Sequence, residues 1–299
     1  MTVWVTGASG MLGQEVVQDL HANVRGSVIA TDREVDITSH DAVSGFMSEQ
    51  EPFDWIVNCA AWTAGDDAET NREAATLLNT TGPQVLAEAA QECGAALVHL
   101  STDYVFAGSA NRPYMPDDPA SPQSVYGRTK YDGEEAVRST LARHIIIRTA
   151  WLYGPGGKNF VSTMLRLMNE REEIGVVADQ FGLPTYASDL AGAIKTILIF
   201  NRDKISWGTY HYTNSPASGE QTTGINWFQF AQAIYELGRA HGFGNSECRI
   251  KPLTTADYPT AAQRPAYSVL DCDSIMSAFA VTRPDWRSSL ERDLAQRER

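Results

Sequence analysis

Residues 3–13 read Val-Trp-Val-Thr-Gly-Ala-Ser-Gly-Met-Leu-Gly, an apolar strand pattern that runs directly into three evenly spaced glycines. In a strand-turn-helix unit, Gly7 permits the tight turn, Gly10 lets a pyrophosphate approach the backbone, and Gly13 lets the helix pack on the strand. Asp32 stands roughly 20 positions after Gly13, at the end of the next apolar run, where a carboxylate can bind an adenosine ribose. The stretch therefore predicts a dinucleotide-binding fold.

The sequence leaves the choice of dinucleotide open. Asp32 suits the free ribose of NADH, whereas Arg33, the next residue, can meet the 2′-phosphate of NADPH. We therefore expect NADPH or NADH as cofactor.

Composition narrows the range of partners. The chain of 299 residues carries a formal net charge of −13, which repels phosphate backbones and anionic lipid, so we expect no nucleic-acid or membrane partner. The N-terminus shows no signal-peptide pattern, and no apolar run reaches the ~18 residues of a membrane span. The four cysteines lack C-x-x-C spacing. These features predict a cytoplasmic protein without a disulfide framework or a zinc site.

Strand-like and helix-like segments alternate through the first half of the chain, which predicts an α/β fold with a Rossmann-type doubly wound parallel sheet. We expect residues 1–155 to form the NAD(P)-binding domain, with later segments returning to it. Residues 156–299 are expected to form mainly a smaller, discontinuous C-terminal substrate-binding lobe. Within that lobe, residues 160–170, 189–200 and 227–241 have helical patterns, with Ser188 or Asp189 as the cap of the second helix. Residues 214–224 read as a loop that we expect to be mobile, and residues 252–265 as irregular.

A tyrosine and a lysine point to carbonyl chemistry. Tyr126 and Lys130 are spaced i and i+4, which places both side chains on one helix face. A nearby ammonium group favours phenolate and lowers the pKa of a tyrosine, which can then exchange a proton with a ketone oxygen as hydride is transferred. Thr102, at the carboxyl end of an apolar strand, can hydrogen-bond the same oxygen.

At this point the sequence resembles the extended short-chain dehydrogenase/reductase superfamily, and within it the dTDP-4-dehydrorhamnose reductase family. The resemblance implies hydride transfer from a reduced nicotinamide to C4 of a nucleoside-diphosphate 4-keto-6-deoxy sugar, with Tyr126 as proton donor, Lys130 lowering its pKa and Thr102 in the usual Ser/Thr position. It rests, in chain order, on TGASGMLG (6–13), VNCAAWT (57–63), STDYVFAG (101–108), YGRTK (126–130), RTAWLYG (148–154), DQFGLPT (179–185) and RP (264–265).

The resemblance also implies sets of contact residues. Cofactor contacts are expected from Gly7, Ser9, Gly10, Met11, Leu12, Gly13, Asp32, Arg33, Asp36, Ile37, Cys59, Ala60, Ala61, Thr63, Asn79, Tyr126 and Lys130. Substrate contacts are expected from Thr102, Asp103, Tyr104, Trp151, Asn159, Gln180 and Arg264. Some family members are described as binding magnesium at a dimer interface, and the matching residues are Glu15, Asp189 and Glu291. A homodimer is a further expectation of the family.

Two alternatives stay open at this stage. One is another sugar-nucleotide enzyme of the same superfamily, either an epimerase, a dehydratase or a reductase of a different keto sugar. The other is a non-catalytic regulatory subunit resembling the beta subunit of methionine adenosyltransferase. The presence of Thr102, Tyr126 and Lys130 together favours an enzyme.

Overall fold

The strands of this computed structural model form one large sheet and three small ones. The model describes residues 1–219, 224–243 and 247–297. Its strands are β1 Thr2–Thr6, β2 Ser27–Thr31, β3 Trp55–Asn58, β4 Ala96–Thr102, β5 His144–Thr149, β6 Leu152–Tyr153, β7 Glu173–Val177, β8 Phe181–Gly182, β9 Thr185–Tyr186, β10 Gly208–His211, β11 Ile225–Asn226 and β12 Arg249–Leu253.

Helices connect most of these strands. They are α1 Met11–Asn23, α2 His40–Ser48, α3 Gly65–Ala68, α4 Arg72–Thr76, α5 Gly82–Cys93, α6 Val125–Thr140, α7 Phe160–Glu170, α8 Ala187–Leu198, α9 Trp227–Ala240, α10 Asp273–Phe279 and α11 Trp286–Gln296. A π-helical turn, Leu77–Thr81, joins α4 to α5, and short 3₁₀ turns lie at Asp103–Val105, Arg202–Lys204 and Thr255–Asp257.

The large sheet has six parallel strands in the order β10-β5-β4-β3-β1-β2. Alternate residues of each strand enter different cores because successive side chains point to opposite faces. On β1, Val3 and Val5 pack with α1, α8 and α10, whereas Trp4 packs with the core that includes residues of α2 and α5. Burial on both faces explains the apolar strand sequences and confirms the predicted doubly wound α/β fold.

A further core, separate from the two on the faces of the large sheet, is built mainly from residues after 155. Its buried residues come mainly from α7, α9 and α11, and include Met164, Phe230 and Trp286. Two later segments return to the large sheet: β10 pairs with β5, and α8 packs on α1. The division at residue 155 stays a prediction about domains.

Several local predictions need correction. Helix α8 begins at Ala187 after Tyr186, so neither Ser188 nor Asp189 caps it. Part of the region predicted to be irregular belongs to β12 and to a 3₁₀ turn, and α10 and α11 were not predicted. Residues 220–223 of the loop predicted to be mobile lie outside the described residues.

Candidate active site

The glycine turn after β1 is packed too closely to carry side chains at two positions. Gly7 has φ of 65°, and a Cβ there would lie 2.6 Å from the backbone nitrogen of Ala60. A Cβ on Gly13 would lie 2.2 Å from the carbonyl oxygen of Gly7. Gly10 N donates to that same oxygen over 3.0 Å. The turn therefore brings the start of α1 close to β1, which is the geometry that exposes helix N–H groups to a phosphate.

An open cleft of about 350 Å³ borders this turn. Asp32 and Ser9 line it, and the backbone nitrogen of Asp32 donates to Glu34 Oε1 over 2.9 Å. Arg33 is exposed, and it forms no ion pair with any other residue in the described ranges. The cleft has a suitable position for the adenosine half of a dinucleotide, beside the carboxylate and the arginine that the sequence indicated. Its lining residues are Ala8, Ser9, Gln14, Val17, Gln18, Ala30, Thr31, Asp32 and Glu34.

Other residues expected to contact the cofactor lie elsewhere. Asp36 is exposed, and its carboxylate accepts hydrogen bonds from the backbone and hydroxyl of Thr38, which lower its pKa. Ile37 is only 4% exposed and its side chain packs in the core, so it can offer only backbone atoms to a ligand. Leu12 is buried in the core as well, and Met11 lies against Gly154.

Buried amides hold the loop that follows β3. Asn58 Oδ1 accepts from Thr6 Oγ1 over 2.8 Å and from Ala60 N over 3.0 Å. These bonds fix the backbone of Cys59 and Ala60 against the glycine turn, where the resemblance places the cofactor.

Asn79 supports the same loop from the π-helical turn. Its Oδ1 accepts from Trp62 N over 2.8 Å, while its Nδ2 donates to Trp62 O and to Thr129 Oγ1, each over 3.1 Å. Asn79 is completely buried. The structure therefore gives it a role in positioning the loop that carries Ala61 and Thr63, and its direct contact with the cofactor stays a prediction.

Helix α6 brings Tyr126 to the carboxyl end of β4. Gly127 makes this approach possible, because a Cβ there would lie 2.2 Å from the carbonyl oxygen of Tyr104. The rings of Tyr104 and Tyr126 meet edge to face with centroids 5.4 Å apart. The side chain of Thr102 lies near the hydroxyl of Tyr126 and acts to lower its pKa.

Lys130 lies one helical turn after Tyr126 on α6. It is 2% exposed, and its Nζ donates to the carbonyl oxygen of Leu100 over 2.6 Å. Burial lowers the pKa of Lys130 to about 8, and the negative charge of Glu134 acts in the other direction. The side chain is therefore cationic at neutral pH.

Burial dominates the pKa of Tyr126. It raises this pKa to about 12, while the side chain of Thr102 acts to lower it and the charge of Asp103 acts to raise it. A lowering of this pKa by Lys130 during the reaction stays a prediction. Tyr126 is thus protonated, the state that a proton donor in ketone reduction needs.

Thr102 and Asp103 form a compact polar turn beside Tyr126. Thr102 Oγ1 donates to Asp103 Oδ1 over 3.0 Å and accepts from Tyr104 N over 3.3 Å. Asp103 is 2% exposed, and burial raises its pKa to about 6. Burial also raises the pKa of Tyr104. Three residues expected to contact substrate therefore lie together with the catalytic tyrosine.

Trp151 is half-buried and packs against two cores, the one that contains Val3 and Val5 and the one that contains Phe230. Its ring stacks on Trp227 with centroids 3.6 Å apart and an angle of 14°. Its φ of 50° is unusual for a residue with a side chain, and Gly182 has no room for a Cβ beside the indole. Sequence reasoning missed Trp227, because no motif connects α9 to the segment that carries Trp151.

Asn159 and Gln180 have structural partners. Asn159 caps α7, with Oδ1 accepting from Ser162 N over 3.0 Å and Nδ2 donating to Gly154 O over 2.9 Å. Gln180 is 5% exposed, and its Nε2 donates to Thr255 Oγ1 over 3.1 Å. The geometry therefore supports positioning roles for both residues more directly than substrate contacts.

Arg264 reaches the active site from the C-terminal part of the chain. Its Nη2 donates to Asp66 Oδ2 over 3.1 Å, and Asp66 Oδ1 accepts from Ala262 N over 2.9 Å. Arg264 and Tyr104 both line a small cavity of about 10 Å³, while the buried Nε of Arg264 has no hydrogen-bond partner among the described residues. Asp66 was not among the predicted residues, although it lies just after the motif at 57–63.

The three carboxylates predicted to bind magnesium do not form a metal site. Asp189 accepts hydrogen bonds from Asn214 and Ser289 and pairs with Arg292, so its oxygens are already used. Among the residues that the structure describes, no group of three or more His, Cys, Asp or Glu side chains is arranged to hold a metal ion. The magnesium prediction for Glu15, Asp189 and Glu291 therefore finds no support among the described residues.

Two further features are simple findings. Within residues 1–219, 224–243 and 247–297, no helix combines the length and apolar character needed to cross a membrane. All four cysteines lie in these ranges and are free thiols.

Comparison with known proteins agrees with this geometry over the whole chain. The family model for the RmlD substrate binding domain matches residues 1–299. A dTDP-4-dehydrorhamnose reductase of Aggregatibacter actinomycetemcomitans is 40% identical over 96% of both chains. A probable dTDP-4,6-dihydroxy-2-methyloxan-3-one 4-ketoreductase of Streptomyces antibioticus is 42% identical over 96% of this chain and 92% of its own.

A solved structure shows the same fold. It is the dTDP-4-dehydrorhamnose reductase of Bacillus anthracis in complex with NADP, which has a TM-score of 0.89 and 35% identity over 99% of both chains. The match of the family model to every residue, together with relatives at about 40% identity, shows that this chain belongs to the RmlD family.

Proposed function

We propose that this protein uses NADPH or NADH to reduce the C4 ketone of a nucleoside-diphosphate 4-keto-6-deoxy sugar, converting dTDP-4-dehydrorhamnose to dTDP-rhamnose. The observation that carries the proposal is the position of Tyr126, whose ring meets Tyr104 next to Thr102 at the end of β4, in a chain whose curated relatives include dTDP-4-dehydrorhamnose reductases. Lys130 adds a buried cation behind this pair.

The chain offers a cradle that suits a dinucleotide. The turn around Gly7 and Gly13 has no room for side chains, and the cleft beside Asp32 continues from it. Asp32 suits a ribose hydroxyl and Arg33 suits a 2′-phosphate, so both cofactors are accommodated. When bound, the reduced nicotinamide supplies the hydride.

The residues of the chain manage the proton. As C4 gains a hydride, its oxygen develops negative charge, and the Tyr126 hydroxyl transfers its proton to that oxygen. Thr102 can hydrogen-bond the same oxygen and orient it. The phenolate left on Tyr126 is stabilised by the charge of Lys130, whose ammonium group is held in place by Leu100 O. One hydride and one proton thus complete the alcohol.

A second candidate is reduction of a different dTDP-linked keto sugar. The relative from Streptomyces antibioticus, named as a 4-ketoreductase, is 42% identical, which is close to the identity of the dTDP-4-dehydrorhamnose reductases. A non-catalytic regulatory role is less well supported, because Thr102, Tyr126 and Lys130 are all present and adjacent. Action in the cytoplasm as a homodimer is also part of the proposal.

The test measures whether the purified protein oxidises NADPH or NADH. The oxidation is monitored as the loss of the reduced-nicotinamide absorbance. A panel of dTDP-linked and other nucleoside-diphosphate keto sugars is supplied one at a time. We expect rapid oxidation with dTDP-4-dehydrorhamnose and none without a sugar. Turnover of a different keto sugar alone would favour the second candidate, and no turnover with any sugar would contradict the enzymatic proposal.

A further inference from the structure

A fully buried carboxylate lies one helical turn beyond Lys130. Glu134 is 0% exposed, and both residues lie on the inner face of α6. Arg148 of β5, itself 2% exposed, binds this carboxylate twice, with Nε to Oε1 at 2.9 Å and Nη2 to Oε2 at 2.7 Å. Arg138 adds a third contact, from Nη1 to Oε2 at 3.1 Å.

Stability alone does not explain this arrangement. Removing two charges from water is costly, and a buried ion pair often contributes no more stability than apolar residues of similar volume. The sequence therefore retains Glu134 and Arg148 at a position where an apolar pair would serve the core equally well. Their location against the catalytic lysine suggests a reason.

Lys130 and Glu134 also reach the same strand. The ammonium group of Lys130 binds Leu100 O, and the carboxylate of Glu134 lies beside the hydroxyl of the next residue, Ser101, which helps to lower its pKa. The i and i+4 spacing on α6 thus places the two side chains next to neighbouring residues of β4.

The charges around Lys130 come from several elements. Cys59, after β3, has its thiol pKa raised to about 12 by burial, so it is neutral. His99, on β4, has its pKa lowered well below its usual value, first by burial and then by the charge of Lys130, so it is neutral too. Tyr126, on α6, is protonated. Glu134 is therefore the ionised group that offsets the burial of the ammonium.

We propose that Glu134 is a positioning residue that keeps Lys130 cationic and oriented during ketone reduction, and that Arg148 fixes the carboxylate of Glu134 for this purpose. The inference rests on the reductase activity proposed above. It assigns the buried ion pair a role in catalysis that acts through Lys130, without contact with cofactor or substrate.

The proposal has a direct consequence for pH dependence. Lys130 loses its proton as the pH rises through about 8, so the activity of the native enzyme falls on the alkaline side near that pH. The negative charge of Glu134 counteracts the effect of burial on Lys130. When this charge is removed, the pKa of Lys130 falls further. The alkaline fall in activity then begins at a lower pH.

The experiment compares pH profiles of kcat for the native enzyme, Glu134→Gln and Glu135→Gln. Glu135 is the matched control, because it is the next residue on α6 and its side chain is 55% exposed. We expect Glu134→Gln to shift the alkaline limb down by about one pH unit, equivalent to roughly tenfold lower activity above the limb. At pH 6 its kcat stays within about threefold of the native value, and Glu135→Gln follows the native profile.

Glu134→Gln leaves the buried Arg148 without its charged partner, which can unfold the protein. A second variant therefore serves as a control for this effect. The double variant Glu134→Leu/Arg148→Met removes both charges, a change that buried pairs commonly tolerate. It is expected to show a downward shift as well, smaller than that of Glu134→Gln because the positive charge of Arg148 is lost too. Native alkaline limbs in the folded variants, with only their thermal stability changed, would overturn the proposal and make the pair purely structural.

NADPH affinity, measured by fluorescence without sugar, separates this inference from the proposed substrate. We expect the affinity of Glu134→Gln to weaken at a lower pH than that of the native protein, because Lys130 is also the expected partner of the nicotinamide ribose. That shift supports the inference even if no keto sugar is turned over. Identical pH dependence in the two proteins contradicts it.

Discussion

Gly13 offers a sharp test of how the first turn joins fold to function. In Gly13→Ala, the new Cβ would lie 2.2 Å from Gly7 O, 2.8 Å from Ala8 Cα and 2.9 Å from Gly7 C. All three atoms belong to the backbone, and ordinary contact begins at 3.4 Å, so the turn must retreat by about 1.2 Å. Gly7 cannot easily retreat, because it packs closely against Ala60.

Two opposing free energies decide the outcome. Alanine gains about 1 kcal/mol of helix propensity over glycine. Overpacking of a tight site costs about 1–3 kcal/mol, and more where backbone must move. We therefore expect Gly13→Ala to lower the free energy of unfolding by about 1–2 kcal/mol. The displaced turn should also lose one or more hydrogen bonds to the cofactor phosphates, each contributing about 1.5–3 kcal/mol, which weakens NADPH binding roughly 10- to 100-fold.

Urea denaturation and NADPH titration measure these two effects. Gly45→Ala is the control, since Gly45 lies in α2 and a Cβ there meets no atom within 4 Å. The control should stabilise the protein by about 0.5–1 kcal/mol and leave NADPH affinity unchanged. If Gly13→Ala binds NADPH as the native protein does, the turn is not the phosphate cradle and the reasoning is refuted.

Two further predictions concern the polar residues around Tyr126. In Asp66→Asn, the ion pair with Arg264 is lost, while a side-chain oxygen remains to accept from Ala262 N. We expect a severalfold higher KM for the sugar nucleotide. Thermal stability should change little, because exposed ion pairs contribute only about 0–1 kcal/mol. An unchanged KM would contradict a role for Asp66 in holding Arg264. Asp103 has a pKa raised to about 6, so its native-state ionisation costs stability as the pH rises through that value. The free energy of unfolding of Asp103→Asn, measured relative to that of the native protein, should therefore increase by about 1–3 kcal/mol from pH 4 to pH 8. If urea denaturation gives the same difference between the two proteins at both pH values, this explanation is contradicted.

The sequence was sufficient for the large sheet and for the centre of the active site. Short apolar strands, three glycines and the spacing of Tyr126 and Lys130 are local patterns, and their physical meaning does not depend on distant residues. The predicted strands are present in the sheet, and Thr102, Tyr126 and Lys130 lie together at the carboxyl end of β4.

Contacts between distant segments were less accessible. Asn79 and Asn159 carry the amide groups expected of ligand contacts, but the fold uses them to hold a loop and to cap a helix. The stacking of Trp151 on Trp227 and the contact of Asp66 with Arg264 depend on how remote segments meet. The effect of burial on the pKa of Tyr126 was not predictable for a similar reason, because spacing gives the position of the lysine on the helix and not the degree of burial.

The most direct test of the central claim is the turnover of Tyr126→Phe with NADPH and dTDP-4-dehydrorhamnose. The variant loses the hydroxyl that donates the proton and keeps the ring that packs against Tyr104. We expect kcat to fall by about 10²–10⁴, with NADPH affinity and thermal stability close to native values. Native turnover in this variant would contradict the assignment of Tyr126 as the proton donor.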